Sequence, residues 1–234
     1  MAQMKPFLAA TFLSLGSGIL FAGDITGTVH AEPKAGTETT EGAGGNYDSR
    51  KYKFVQRVDY SAMQDFVVSI EGTVGTNSEP NTNVIAVTTS RVAQKAATFS
   101  PHVLPVLVGT TVEWPNNDEI YHNVFSDSDP KRFDLGLYRG NPPEKRVTFD
   151  KAGRVDVFCS IHENMHCIVL VMPNPYFAVT DAGGHYSITN VPPGTYQVKA
   201  WHERMPAEER EIIVPTNGAV QADFTLTIKN LPTY

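Results

Sequence analysis

The sequence predicts an all-β protein built from β-sandwiches, and three observations carry the prediction. Apolar residues recur with a period near two in short runs. These runs are punctuated by 18 glycines and 16 prolines in 234 residues. Helical periodicity is nearly absent, with only "SAMQ" (61–64) and the segment 203–210 offering room for a helical turn.

In chain order, "DFVVSIEG" (65–72), "VLPVLVGTTVEW" (103–114), "RVTFD" (146–150) and "RVDVFC" (154–159) each read as a strand bounded by turn residues. "CIVLVM" (167–172), "HYSITNV" (185–191), "TYQVKAW" (195–201), "REIIVP" (210–215) and "ADFTLTI" (222–228) continue the pattern. Many short strands at this spacing belong to sandwiches or barrels. Polar or Pro-rich breaks at 32–50, 75–83 and 172–177 divide the chain into 24–75, 84–173 and 176–234.

The apolar share of 41% and charged share of 19% are those of a globular protein. A net charge of −6 without a basic block argues against a nucleic-acid surface. Lys5 precedes the apolar run "PFLAATFLSLGSGILFAG", which ends in small residues and reads as a secretory signal over 1–22, cleaved near Ala22. A later cut at Ala31 also fits the small-residue rule but would remove the strand-like "DITGTVH". No later segment suits a membrane span, so an exported, periplasmic protein is expected, in a compartment that permits disulfides.

The chemistry concentrates in "CSIHENMHC" (159–167), which holds both cysteines. Alternation along "GRVDVFC" places Val155, Val157 and Cys159 on one face, so Cys159 reaches the edge of a core pointing inward. His162 and Met165 follow at intervals of three, and His122 stands upstream in "IYHNVFS". One thiolate, two imidazoles and a weak axial thioether form the trigonal ligand set of a blue copper site. The competing reading is a Cys159–Cys167 disulfide, which would close a short loop worth about 2–3 kcal/mol and remove the one strong sulfur ligand. A binuclear copper centre bridged by both cysteines is a further alternative. The plainest reading of Cys167 is a buried free thiol.

Residues 84–173 resemble a cupredoxin, the plastocyanin, azurin and amicyanin fold. The resemblance rests on "VGTTVEWPNND", on "HNV" at 122–124, and on "FCSIHENM" with its short C-x2-H-x2-M spacing. It implies a Greek-key β-sandwich holding one type 1 copper per chain through His122, Cys159, His162 and Met165. It also implies that Asn123 steadies the ligand loop through its backbone amide and side chain. His166 departs from the family pattern; it either competes with Met165 for the axial position or stands exposed beside the site. His102 reads as structural or surface.

"TDAGGHYSI" and "NVPPGTYQVKAW" over 176–228 resemble the carboxypeptidase regulatory-like, or transthyretin-like, β-sandwich. Its usual opening strands are missing before Thr180, but "GDITGTVHAEP" (23–33) and "DFVVSIEG" fit them. The copper unit is therefore expected to be inserted into this sandwich, the simpler alternative being two consecutive domains. The combination is similar to periplasmic cupredoxin proteins of the methylamine-utilisation-like kind.

The function these resemblances imply is a periplasmic one-electron carrier, not an enzyme. Its partner would be a redox protein such as a c-type cytochrome or a dehydrogenase. His162 would be the electron port, and Phe158 and Met165 part of an apolar docking rim. Copper capture and delivery is the second reading, and a binding module with a vestigial copper site the third. "WHERMPAEER" (201–210) is the best candidate contact surface for that module.

Overall fold

Short alternating runs need paired neighbours and a buried face before they are stable as strands, and the pairing decides which runs share a core. The computed structural model describes residues 22–33, 59–72, 74, 90–140 and 145–227. The signal segment apart from Ala22, most of the polar stretch 32–50 and the break at 75–83 lie outside them. Strands run in order β1 (Gly23–Glu32), β2 (Val67–Ile70), β3 (Ser90–Arg91), β4 (Ala93–Lys95), β5 (Thr98–Ser100) and β6 (Val103–Leu107). Next come β7 (Thr110–Glu113), β8 (Phe125–Ser126), β9 (Phe133–Asp134), β10 (Arg146–Phe149), β11 (Gly153–Phe158) and β12 (His166–Met172). The chain continues with β13 (Phe177–Val179), β14 (His185–Val191), β15 (Gly194–His202), β16 (Met205–Val214), β17 (Ala219–Gln221) and β18 (Phe224–Thr227). A 3-10 turn at Tyr60–Ala62, capped by the Asp59 carboxylate on the Ser61 amide, is the one helical element among the described residues. The fold is all-β.

The strands gather around two principal cores. One sheet has the order β14-β1-β17, with β18 also on β1, and it faces a sheet of order β13-β2-β15-β16. Between them lie Ile25, Val29, Phe66, Val68, Ile70, Tyr186, Ile188, Val198, Phe224 and Leu226, so this core draws on both ends of the described chain. The other core is walled by sheets of order β10-β7-β3 and β6-β12-β11-β8-β9, with the β4–β5 hairpin alongside. Trp114, Phe149, Val124, Val155, Val157 and Val169 fill it.

Two expectations are corrected. "VLPVLVGTTVEW" is two strands, because Gly109 at φ 92° turns the chain and sends β6 and β7 to different sheets. The segment 203–210 is no helix: after a turn it runs as β16, paired with β15 from Gly194↔Val214 to His202↔Met205. Its Glu and Arg residues suit an edge strand, where charge discourages further pairing, and cross-strand pairing overrides their helical preference.

A smaller cluster joins the two cores. β12 turns Cys167, Val169 and Val171 into the second core, and Ile168 and Leu170 outward onto Val67, Val103, Met172 and Trp201. Burial on both faces explains why "CIVLVM" is a continuous apolar run. Arg154 on β11 lies over the Trp201 ring, 5.8 Å from its centroid, and His102 Nε2 meets Glu203 Oε2 at 3.0 Å. Asn174, in the Pro-rich break, ties the chain back to β2 by donating to the Ile70 and Gly72 carbonyls at 2.7 and 2.8 Å. Among the described residues no helix is long and apolar enough to cross a membrane.

β1 changes partners midway, pairing with β17 through Thr26 and with β18 from Val29. At the switch the chain crosses Gly27 so closely that a side chain there would meet the Ala222 carbonyl, while Asp223 accepts from the Thr28 amide at 2.8 Å. Gly27→Ala is therefore expected to destabilise the protein by about 1–3 kcal/mol, read as a lower denaturant midpoint at unchanged slope. An unchanged midpoint would show that the chain at Ala222 does not pass so close to Gly27.

Candidate metal centre

β11 ends on Phe158, and alternation carries the next side chain, Cys159, into the core behind Val155 and Val157. The chain then turns back into β12. The Cys159 amide donates to the Met165 carbonyl at 3.2 Å, and the Met165 amide donates to the His162 carbonyl at 3.1 Å. This closed loop sets His162 beside Cys159, with Cys159 Sγ 3.6 Å from His162 Nδ1. Met165 is wholly buried in the same core.

His122 arrives from the connection between β7 and β8, bridged by backbone pairing to Tyr138. It has no solvent exposure, and its Nδ1 lies 3.0 Å from His162 Nδ1. One ligating atom each from His122, Cys159 and His162 falls within 4.8 Å of the others. Such separations suit three donors that each stand about 2.0–2.3 Å from one shared first-row ion. The donor set fits a copper-class ion: a soft sulfur with two imidazoles, sheltered from water.

Several supports lie around these donors. Asp118 Oδ2 is 2.8 Å from His122 Nε2, which therefore carries that ring's proton and leaves Nδ1 as the lone pair turned to His162 and Cys159. Asp118 is itself fixed by the amides of Ala97 and Ala96, at 3.0 and 2.7 Å. The Ala97 amide first, then His122, holds its carboxyl down at about 2. Asn116 donates to the Ile120 and Tyr138 carbonyls and accepts from the Asp118 amide, so it spans the loop that carries His122. Below, Gln94 Nε2 and the Trp114 carbonyl hold the Tyr138 hydroxyl at 2.6 Å each, and burial pushes that phenol's pKa up. Asn116 and Asp118 fall within the "VGTTVEWPNND" motif that carries the cupredoxin resemblance, but no role is assigned to them there, and Gln94 is not singled out. For Asp118 a signal was present: Asp-x3-His places a carboxylate one short loop from the ring it orients.

Asn123 differs from expectation in part. Its backbone amide points at Cys159 Sγ, 3.4 Å away, but its side-chain amide donates to Asp134 Oδ1 at 2.8 Å, tying the His122 loop to β9. Met165, being wholly buried, is no part of an exposed rim. Cys159 and Cys167 are free and both buried. His166 is half-buried, its Nε2 3.0 Å from Asp156 Oδ1 and its ring stacked on Phe158 at 4.8 Å. It thus turns to the outer side of the β11–β12 pair, away from Cys159. His102 is also paired, with Glu203.

Burial pushes the Cys167 thiol well above the ordinary range. A thiol reagent added to metal-free native protein should therefore leave Cys167 unmodified, and label it only after denaturation. Peptide mapping of the labelled protein reads this directly; rapid native labelling of Cys167 would contradict its placement.

Residues 169–227 match the family model for the carboxypeptidase regulatory-like domain. The match begins inside β12 and leaves out β1 and β2, which the pairing puts in the same sandwich. No curated protein matches the chain in sequence. Among solved structures, the chain is similar to a copper-containing nitrite reductase from Thermus scotoductus, at 30% identity and TM-score 0.34, over 36% of this chain and 22% of that one. It is also similar to a point variant of amicyanin in its reduced Cu(I) form, at 24% identity and TM-score 0.33, over 38% of this chain and 86% of that one. A purple cupredoxin from Nitrosopumilus maritimus aligns at 27% identity and TM-score 0.30, over 36% and 99%. The chain is an all-β protein whose residues 169–227 match the carboxypeptidase regulatory-like domain, and cupredoxins are among the solved structures it resembles over about a third of its length.

Proposed function

We propose that this chain is an exported type 1 copper protein that carries single electrons, in which His122, Cys159, His162 and Met165 would hold the ion. The observation that carries the reading is the convergence of His122 Nδ1, His162 Nδ1 and Cys159 Sγ at the end of a closed core. Bound copper supplies one-electron Cu(II)/Cu(I) chemistry. The residues supply the rest. Asp118 fixes His122 before any ion arrives, the Asn123 amide steadies negative charge on the Cys159 sulfur, and buried Met165 and Val124 keep water out. Donors held this firmly move little between oxidation states, which lowers the reorganisation that electron transfer requires. They also favour retention of the ion over delivery.

His162, on the loop and only half-buried, is the route to the surface. Tyr121, Leu137, Phe158 and Ile161 stand next in sequence to His122, Tyr138, Cys159 and His162, Ile120 stands one position further out, and all five are 40–58% exposed. They make an apolar rim suited to brief docking of a redox protein such as a c-type cytochrome or a dehydrogenase. The pairing of β1 and β2 with β14 and β15 supports reading the copper unit as an insertion in the carboxypeptidase regulatory-like sandwich.

Full-length protein loaded with Cu(II) should show an intense visible charge-transfer band that Cys159→Ser abolishes. The absence of a band, or its survival in that variant, would end the reading. Asp118→Asn should keep the fold by circular dichroism while weakening copper binding about 10- to 100-fold in a chelator competition. Unchanged affinity would remove Asp118 from the site.

A further inference from the structure

A second cluster of ligating side chains lies where the two cores meet. His102 directly precedes β6, His166 opens β12, and Glu203 sits in the turn between β15 and β16. Each offers one ligating atom, and these lie within 4.8 Å of one another. We propose that His102, His166 and Glu203 form a second metal site, for a borderline divalent ion of the Zn2+ class, that ties the copper unit to the sandwich.

Both rings are held as ligating imidazoles are, with one nitrogen fixed by an acceptor and the other left as a lone pair. His102 Nδ1 is 3.2 Å from the His166 carbonyl oxygen. A carbonyl only accepts, so Nδ1 carries the proton and Nε2 has the lone pair, 3.0 Å from Glu203 Oε2. A lone pair facing a carboxylate oxygen needs a cation between them, either a second proton or a metal ion. His166 supplies the third donor that a metal ion needs. An imidazolium–carboxylate pair has no use for a second ring, whereas an ion does. His166 Nε2 donates to Asp156 Oδ1 at 3.0 Å, and Asp156 is braced by two Arg154 bonds of 2.9 and 2.7 Å. That brace leaves the other ring nitrogen unprotonated and fixes the plane of the ring.

The side chains of His102, His166 and Glu203 are 37%, 26% and 22% exposed, so an ion and its remaining waters have access. Two imidazoles and one carboxylate without sulfur suit Zn2+ with a water in the open position. The same set does not select Cu(I), so it is chemically distinct from the Cys159 cluster. His166 opens β12, His102 directly precedes β6 and Glu203 lies in the β15–β16 turn, so a bound ion cross-links the two units.

The test is equilibrium dialysis of the full chain against Zn2+ alone, with metal counted by elemental analysis. Zinc counting does not depend on whether copper is the natural occupant of the Cys159 cluster, so the two proposals fail separately. Wild type should take up about two ions per chain, and Glu203→Ala and His102→Gln about one. In Cys159→Ser, Zn2+ should still raise the melting temperature, and Cys159→Ser combined with Glu203→Ala should lose that rise. Glu203 stands in a turn, so its replacement keeps the fold, which circular dichroism checks. Wild-type zinc uptake in both Glu203→Ala and His102→Gln, or a melting shift independent of Glu203, would overturn the proposal and leave a plain ion pair between the units.

Discussion

β12 is covered on both faces, and nearly everything of functional interest depends on that. Its inner face contributes Cys167, Val169 and Val171 to the core that backs the Cys159 cluster. Its outer face contributes Ile168 and Leu170 to the contact with the sandwich. β6 on one side and β11 on the other supply its hydrogen bonds, so no edge of the strand is free to shift. The strand is therefore a fixed wall between two environments, and the residues at its start, Met165 and His166, are sorted to opposite sides of it.

Much of this was legible in the sequence. The alternation Val155, Val157, Cys159 fixes the inward direction of the sulfur, and C-x2-H-x2-M sets the span of the loop that brings His162 back. The all-β class followed from the period-two runs. What remained hidden depends on pairing between distant segments. A continuous run such as "VLPVLVGTTVEW" shows its apolar content, but not that a glycine in a left-handed conformation divides it between sheets. Glu- and Arg-rich "MPAEEREIIV" looks helical by composition, yet β15 dictates its conformation by offering a full strand edge. Gln94 lies 44 positions from the Tyr138 hydroxyl that it supports, and no local pattern announces such a contact. His102 and Glu203 are invisible as partners for the same reason.

The support of His122 shows why a ligand set alone describes half of a site. A buried imidazole with both nitrogens unassigned could rotate or change tautomer. Asp118 removes that freedom, and the two backbone amides on Asp118 remove the freedom of the carboxylate in turn. The entropy of ordering the ring is spent when the protein folds and not when an ion binds. Asn123 does the same for the sulfur, with its side chain anchored on Asp134 so that its amide stays aimed at Cys159.

The question posed by His166, beside Met165 and one position before Cys167, is answered by register. Phe158 pairs with His166 and Val157 with Cys167 across β11 and β12. Side chains in a strand alternate, so a slip of one residue would exchange every inward group for an outward one. In the slipped pairing His166 would face the Cys159 cluster, and Cys167 would face the sandwich. Ile168 and Leu170 would leave their contact with Val67 and Trp201, and Val169 and Val171 would leave the core. Burial of both faces makes that exchange costly on each side at once. The same apolar residues that join the two units thus keep His166 among His102, Asp156 and Glu203, and away from the sulfur of Cys159.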